Sequence, residues 1–134
     1  MGDRATAVAR RLEPWAIALI AAHSATIGIA LAFAPGWAAR FGGFGAAEPL
    51  FFPRQAGAFH LVAALGYLGE YRVYGGVRLL LTAKAVATVF LVAAWIGGEG
   101  AWSVPFSAAA DGAMGTSILA LHAAARRGGP TAVG

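Results

Sequence analysis

The side chains that could do chemistry concentrate between positions 54 and 111, where Arg54, Gln55, His60, Tyr67, Glu70, Lys84 and Asp111 stand out from apolar surroundings. An imidazole beside a carboxylate can share a proton or orient a ligand. A lysine beside a carboxylate makes an ion pair. An arginine with a neighbouring amide can grip a small anion. His60, Ala64, Tyr67 and Tyr71 recur at helical spacing, so they form one face and define a polar seam. Such a seam suits a quinone headgroup or a small anion, with Arg54 as anchor in the second case.

These groups need partners because their surroundings are apolar. A charged side chain at membrane depth costs about 2.5–3.5 kcal/mol on insertion scales, so each should turn inward and pair. If the chain turns over near Gly75, Lys84 lies level with Leu65 or Gly66, and its stem reaches towards Glu70. Lys84–Glu70 is therefore the expected pair. Lys84–Asp111 is its rival, about 7 Å apart in depth by helix rise. His60 and Asp111 share a depth and could pair in turn. For both pairings a structural anchor is favoured over a substrate or proton role.

Several chemistries find no support. The chain has no cysteine, which excludes disulfides, thiolate metal sites and thiol redox chemistry. No Ser–His–Asp or HExxH pattern is present. His23 and His60 could suggest haem, but their depths differ by about 7 Å, awkward for two axial ligands on one iron. No metal site assembles from the sequence. No cofactor is expected, a quinone being the one compatible candidate.

The elements that must position these groups follow from composition. The chain has 134 residues, 59% hydrophobic and only 12% charged, with a mean hydropathy of +0.68. A soluble domain carries roughly 25% charged residues, so most of this surface must face something other than water. The net charge of +4 comes from single or paired basic residues at the ends of apolar runs. Without a basic stripe and interleaved aromatics, nucleic acid is not an expected partner.

Four spans are expected, at about 14–34, 53–74, 77–96 and 104–125. Residues 1–13 form a polar lead-in or a brief interfacial helix. The first apolar run is too long for a signal-peptide core and lacks a cleavage site, so it reads as a retained span. Ala18, Ala22, Thr26, Ala30 and Ala34 give it a small-residue ridge of the kind that lets helices approach closely in lipid. Pro35-Gly36 ends it, and Trp37 with Phe41 predicts a short interfacial helix. Only fifteen residues separate Arg54 from Glu70, so the second span relies on charged ends that reach outward, with Tyr67, Tyr71 and Tyr74 as an aromatic girdle. Ser103 is the expected N-cap of the fourth span, with Pro105 in its first turn. Arg126-Arg127 and a Gly/Pro tail close the chain.

Arg4, Arg10, Arg11, Arg72, Arg78, Arg126 and Arg127 fall on one side of the membrane, Arg40 and Arg54 on the other. The positive-inside rule then places both termini in the cytoplasm. Short connections favour antiparallel neighbours. The expected fold is a single all-α domain, an integral membrane four-helix bundle. High Ala and Gly content suggests a GC-rich bacterial source, hence the inner membrane.

The spans, with the Arg-x-x-Gly at Arg54–Gly57, resemble small bacterial DoxX-like membrane proteins and other four-helix families of this size. Some DoxX-like proteins are associated with quinone-linked oxidation complexes, which the resemblance would imply here. It transfers no catalytic role to any residue.

The expected function is that of a non-enzymatic accessory or packing subunit of a larger membrane complex, or of a homo-oligomer. Its partners would be lipid and other membrane subunits or further copies. The alternative is a quinone-linked redox or small-solute or proton transport protein that uses the polar seam.

Overall fold

The structure, a computed structural model, describes residues 2–127; the Gly/Pro tail lies outside them. The described residues form five helices: α1 (Gly2–Phe33), α2 (Pro35–Phe41), α3 (Phe51–Tyr74), α4 (Arg78–Ile96) and α5 (Ser103–Arg126). Three of them contain segments long and apolar enough to cross a membrane: Arg4–Phe33, Arg78–Ile96 and Ser103–Arg126. Helices of this kind are the mark of a membrane protein. α3 fills the expected second span as a helix but falls outside this group. Arg54, Gln55, His60, Glu70 and Arg72 dilute its apolar character.

The polar lead-in is part of α1, so the first helix starts well before Pro14. Proline removes one backbone donor, yet helix continues on both sides because its N-terminal half is anchored elsewhere. Glu13 is only 6% exposed, and Arg10 Nε donates to the Ala125 carbonyl at 2.9 Å. The short helix expected after Pro35 is α2, where Trp37 and Phe41 stack with ring centroids 5.3 Å apart. Gly75 closes α3 in the left-handed conformation, φ +60°, which a residue without a Cβ adopts at no steric cost.

The four long helices meet around Ile17, Ile20, Tyr67, Leu80 and Ile118, with Val77 beside them. α1 packs against α3 and α5, and α4 packs against α5 and more sparingly against α3. The α1–α3 crossing is the closest. A Cβ built on Gly57 would lie 2.6 Å from Ala32 N and 2.7 Å from Gly28 O, so the two backbones touch. Tyr67 is buried here, 4% exposed, and does not belong to an aromatic girdle. Its position one turn before Tyr71 puts it on the face that meets α1.

The small-residue ridge of α1 does not pack this bundle. Ala18, Ala22 and Thr26 are exposed, and the buried stripe is Ala9, Glu13, Ile17, Ile20, Ala21, Ser24 and Gly28. The larger Ile side chains fill the interior, and they turn the ridge outward.

The end of the molecule opposite the termini is tied by α2 and the start of α5. Trp102 Nε1 donates to the Phe41 carbonyl and Ser103 Oγ to the Gly42 carbonyl, both at 2.7 Å. Ser103 therefore does not cap α5. Trp102 holds the N-cap position, and the serine hydroxyl serves the C-terminus of α2 instead.

Candidate functional site

α4 and α5 run side by side because small residues on α5 admit the α4 side chains. A Cβ on Gly115 would lie 3.4 Å from Lys84 Cβ, and one on Gly112 would meet Thr88 at 3.6 Å. This fit delivers Lys84 to Asp111. Lys84 Nζ lies 2.5 Å from Asp111 Oδ1, with the two side chains 6% and 14% exposed. The pair is interior, and Thr88 Oγ1 donates to the Lys84 carbonyl at 2.7 Å.

The Lys84–Glu70 pair does not form. Glu70 sits in the last turn of α3 and accepts from Arg78 N at 3.0 Å and Leu79 N at 2.8 Å. Its carboxylate caps the start of α4, where free N–H groups and the positive end of the helix dipole favour an anion. Its local backbone partners lie closer than the lysine, which is on the second turn of α4.

His60 is half-buried and forms no hydrogen bond to Asp111 among the described residues. Ile17, Tyr67, Leu80 and Ile118 meet in the core, and His23, His60, Lys84 and Asp111 stand six, seven, four and seven residues from them along their helices, all towards the α2 end. Four ionisable groups from four helices thus share one level of the molecule. Arg54 and Gln55 are exposed one turn and more beyond His60, on the outer part of α3. Tyr67 belongs to the apolar core below, and Glu70 to the far turn. The seven seam residues are therefore spread over four settings. Lys84 and Asp111 make direct contact, and His60 stands near them.

A second polar group escaped the sequence reading. Glu13 Oε1 lies 2.5 Å from His122 Nδ1, and Tyr71 donates to Glu13 Oε2 at 3.5 Å. Arg126 Nη1 is 3.5 Å from His122 Nε2. A carboxylate can only accept, so His122 Nδ1–H is the donor to Glu13. This cluster joins α1, α3 and α5 at the end of the molecule where α3 and α5 finish. Glu13 stands one turn before Ile17 and His122 one turn after Ile118. Those offsets were the available signal, and the assignment of residues 1–13 to a lead-in hid it.

Compared with known protein families, curated proteins and solved structures, the chain matches none. The DoxX-like resemblance finds no support in these comparisons.

The two polar groups are separated by an apolar layer. Ile17 and Leu80 are 1% exposed and Ile118 is fully buried. The buried Tyr67 side chain is packed into the same layer and brings a phenolic hydroxyl to it. Among the described residues, no three His, Asp or Glu side chains gather closely enough to hold a metal ion.

Proposed function

We propose that this chain is a four-span membrane bundle with both termini in the cytoplasm, and that it works by association with other membrane subunits or with copies of itself. One observation carries the proposal. The ridge of Ala18, Ala22 and Thr26 faces outward, with His23 exposed beside it. Small residues on a helix surface permit close backbone approach in lipid, where packing and interhelical hydrogen bonds drive association. An imidazole at membrane depth gains from a polar partner. Two interior polar groups support the same reading, since Lys84 pairs with Asp111 and Glu13 with His122, each joining two helices.

The test is the size of the protein purified in mild detergent, together with its co-purifying subunits. Wild-type protein is expected as an oligomer or complex. Ala22→Leu, on the outward face, should dissociate it while leaving its helix content unchanged. A wild-type monomer free of partners, or an Ala22→Leu protein of unchanged size, sinks the proposal.

A second reading has its own observation, the sharing of one level by His23, His60, Lys84 and Asp111. Such a set could serve proton or small-solute movement, or receive a quinone headgroup. It makes a separate demand. Asp111→Asn would then abolish flux or ligand binding in vesicles while the protein inserts and purifies normally. The Tyr67 phenol is packed among Ile17, Leu80 and Ile118, so a path between the two polar groups would have to run through that hydroxyl.

A further inference from the structure

At the end of the molecule where α3 and α5 finish, a shallow, open cleft of about 680 Å³ lies between α1, α3 and α5. Pockets that take small ligands occupy ~300–1,000 Å³, so this one is large enough. Its lining includes Arg10 from α1, Arg72 from α3 and Arg126 from α5, one guanidinium from each of three helices. Glu13 is the carboxylate among the lining residues, and it is buried and engaged by His122 and Tyr71.

Charge decides what such a cleft prefers. Three guanidiniums face one carboxylate, an excess of two positive charges. The C-terminal ends of α3 and α5 also point here, and each contributes roughly half a negative charge. About one positive charge remains after both are counted. Part of the arginine capacity is also spent internally. Arg10 Nε holds the Ala125 carbonyl, and one Arg126 nitrogen meets His122. The remaining N–H groups of these two residues, and the exposed Arg72, still offer donors in fixed forks. Tyr74 stands at the rim, 82% exposed, an amphipathic ring of the kind that prefers headgroup level.

We infer that this cleft binds a phosphate-bearing anion, gripped by Arg72 and Arg126 with Arg10 behind them. Phosphate is the matching chemistry because planar guanidinium forks pair with its oxygens in bidentate fashion. Basic clefts between membrane helices at the headgroup level take anionic lipid headgroups by the same means. The phosphate can come from an acidic phospholipid or from a free phosphate, and the inference does not depend on the associative function proposed above.

The experiment uses the full chain in phosphatidylcholine nanodiscs, with phosphatidylglycerol or inorganic phosphate added as separate probes. Retention of each probe is read by native mass spectrometry. Wild-type protein should retain phosphatidylglycerol in preference to phosphatidylcholine. Arg72→Gln/Arg126→Gln should weaken that preference about tenfold or more, as expected for the loss of two surface arginines. Arg40→Gln, at the opposite end, should leave it unchanged. Phosphatidylglycerol retention that depends on the two arginines identifies a lipid site. Arginine-dependent retention of inorganic phosphate alone identifies a free-phosphate site. If the double variant does not fold, Arg72→Gln alone serves, since this exposed side chain holds no other helix. Equal retention by wild type and variant of both probes overturns the inference.

Discussion

Lys84 Nζ lies 2.5 Å from Asp111 Oδ1 and joins α4 to α5 through the interior of the bundle. Two charges so placed are each other's main compensation, so their value appears when one is removed. Asp111→Ala leaves a buried ammonium and should cost about 3–5 kcal/mol of stability. Lys84→Met/Asp111→Leu removes both charges and should recover most of that loss. Reversible unfolding in detergent measures the difference, and a double variant no more stable than Asp111→Ala would refute the pairing.

Gly57 and Gly69 lie on the same helix and predict opposite outcomes. Any Cβ on Gly57 meets α1 backbone at 2.6–2.7 Å, and backbone cannot rotate away. Gly57→Ala should therefore destabilise by about 1–3 kcal/mol, as overpacking does. A Cβ on Gly69 meets nothing within 4 Å, so Gly69→Ala should stabilise α3 by about 0.5–1 kcal/mol. Thermal midpoints that move in the same direction would contradict the crossing.

The Glu70 carboxylate caps the first two N–H groups of α4. Glu70→Ala should cost about 1 kcal/mol, the usual loss for a helix cap. Glu70→Gln should retain part of it, since an amide oxygen still accepts but carries no charge. Hydrogen exchange at Arg78 and Leu79 should accelerate first, ahead of the interior of α4.

His122 holds the N-terminal half of α1 through Glu13. His122→Ala leaves a buried carboxylate with Tyr71 at 3.5 Å as its remaining side-chain partner, a loss of about 1–3 kcal/mol. The local consequence is faster amide exchange across residues 4–13, with α4 unaffected. Uniform acceleration over all helices would mean that this cluster is not the anchor of that segment.

Much of the architecture was legible in the chain itself. Apolar runs bounded by Pro35, the Gly75-Gly76 pair and the Gly97-Gly98 pair mark the helices, because lipid-length runs and backbone breakers act locally. The shortage of charge excluded an ordinary soluble domain for the same reason. Lys84 and Asp111 could be singled out as needing partners, since burying a charge is costly wherever the fold places it.

Tertiary packing decided which partner each residue obtained. Glu70 was taken by the backbone of α4, which left Lys84 to Asp111, and the small residues Gly112 and Gly115 admitted the close approach. The rotation of α1 was fixed by Ile17 and Ile20 entering the core, so its alanine ridge turned outward and Glu13 turned in. Composition and periodicity specify that a helix exists and which residue types line its faces. Which face is buried depends on how several helices fill one volume, and that depends on side-chain shapes contributed by segments distant in the chain. The contact of Glu13 with His122, 109 residues apart in the chain, exists only because that volume was filled in this way.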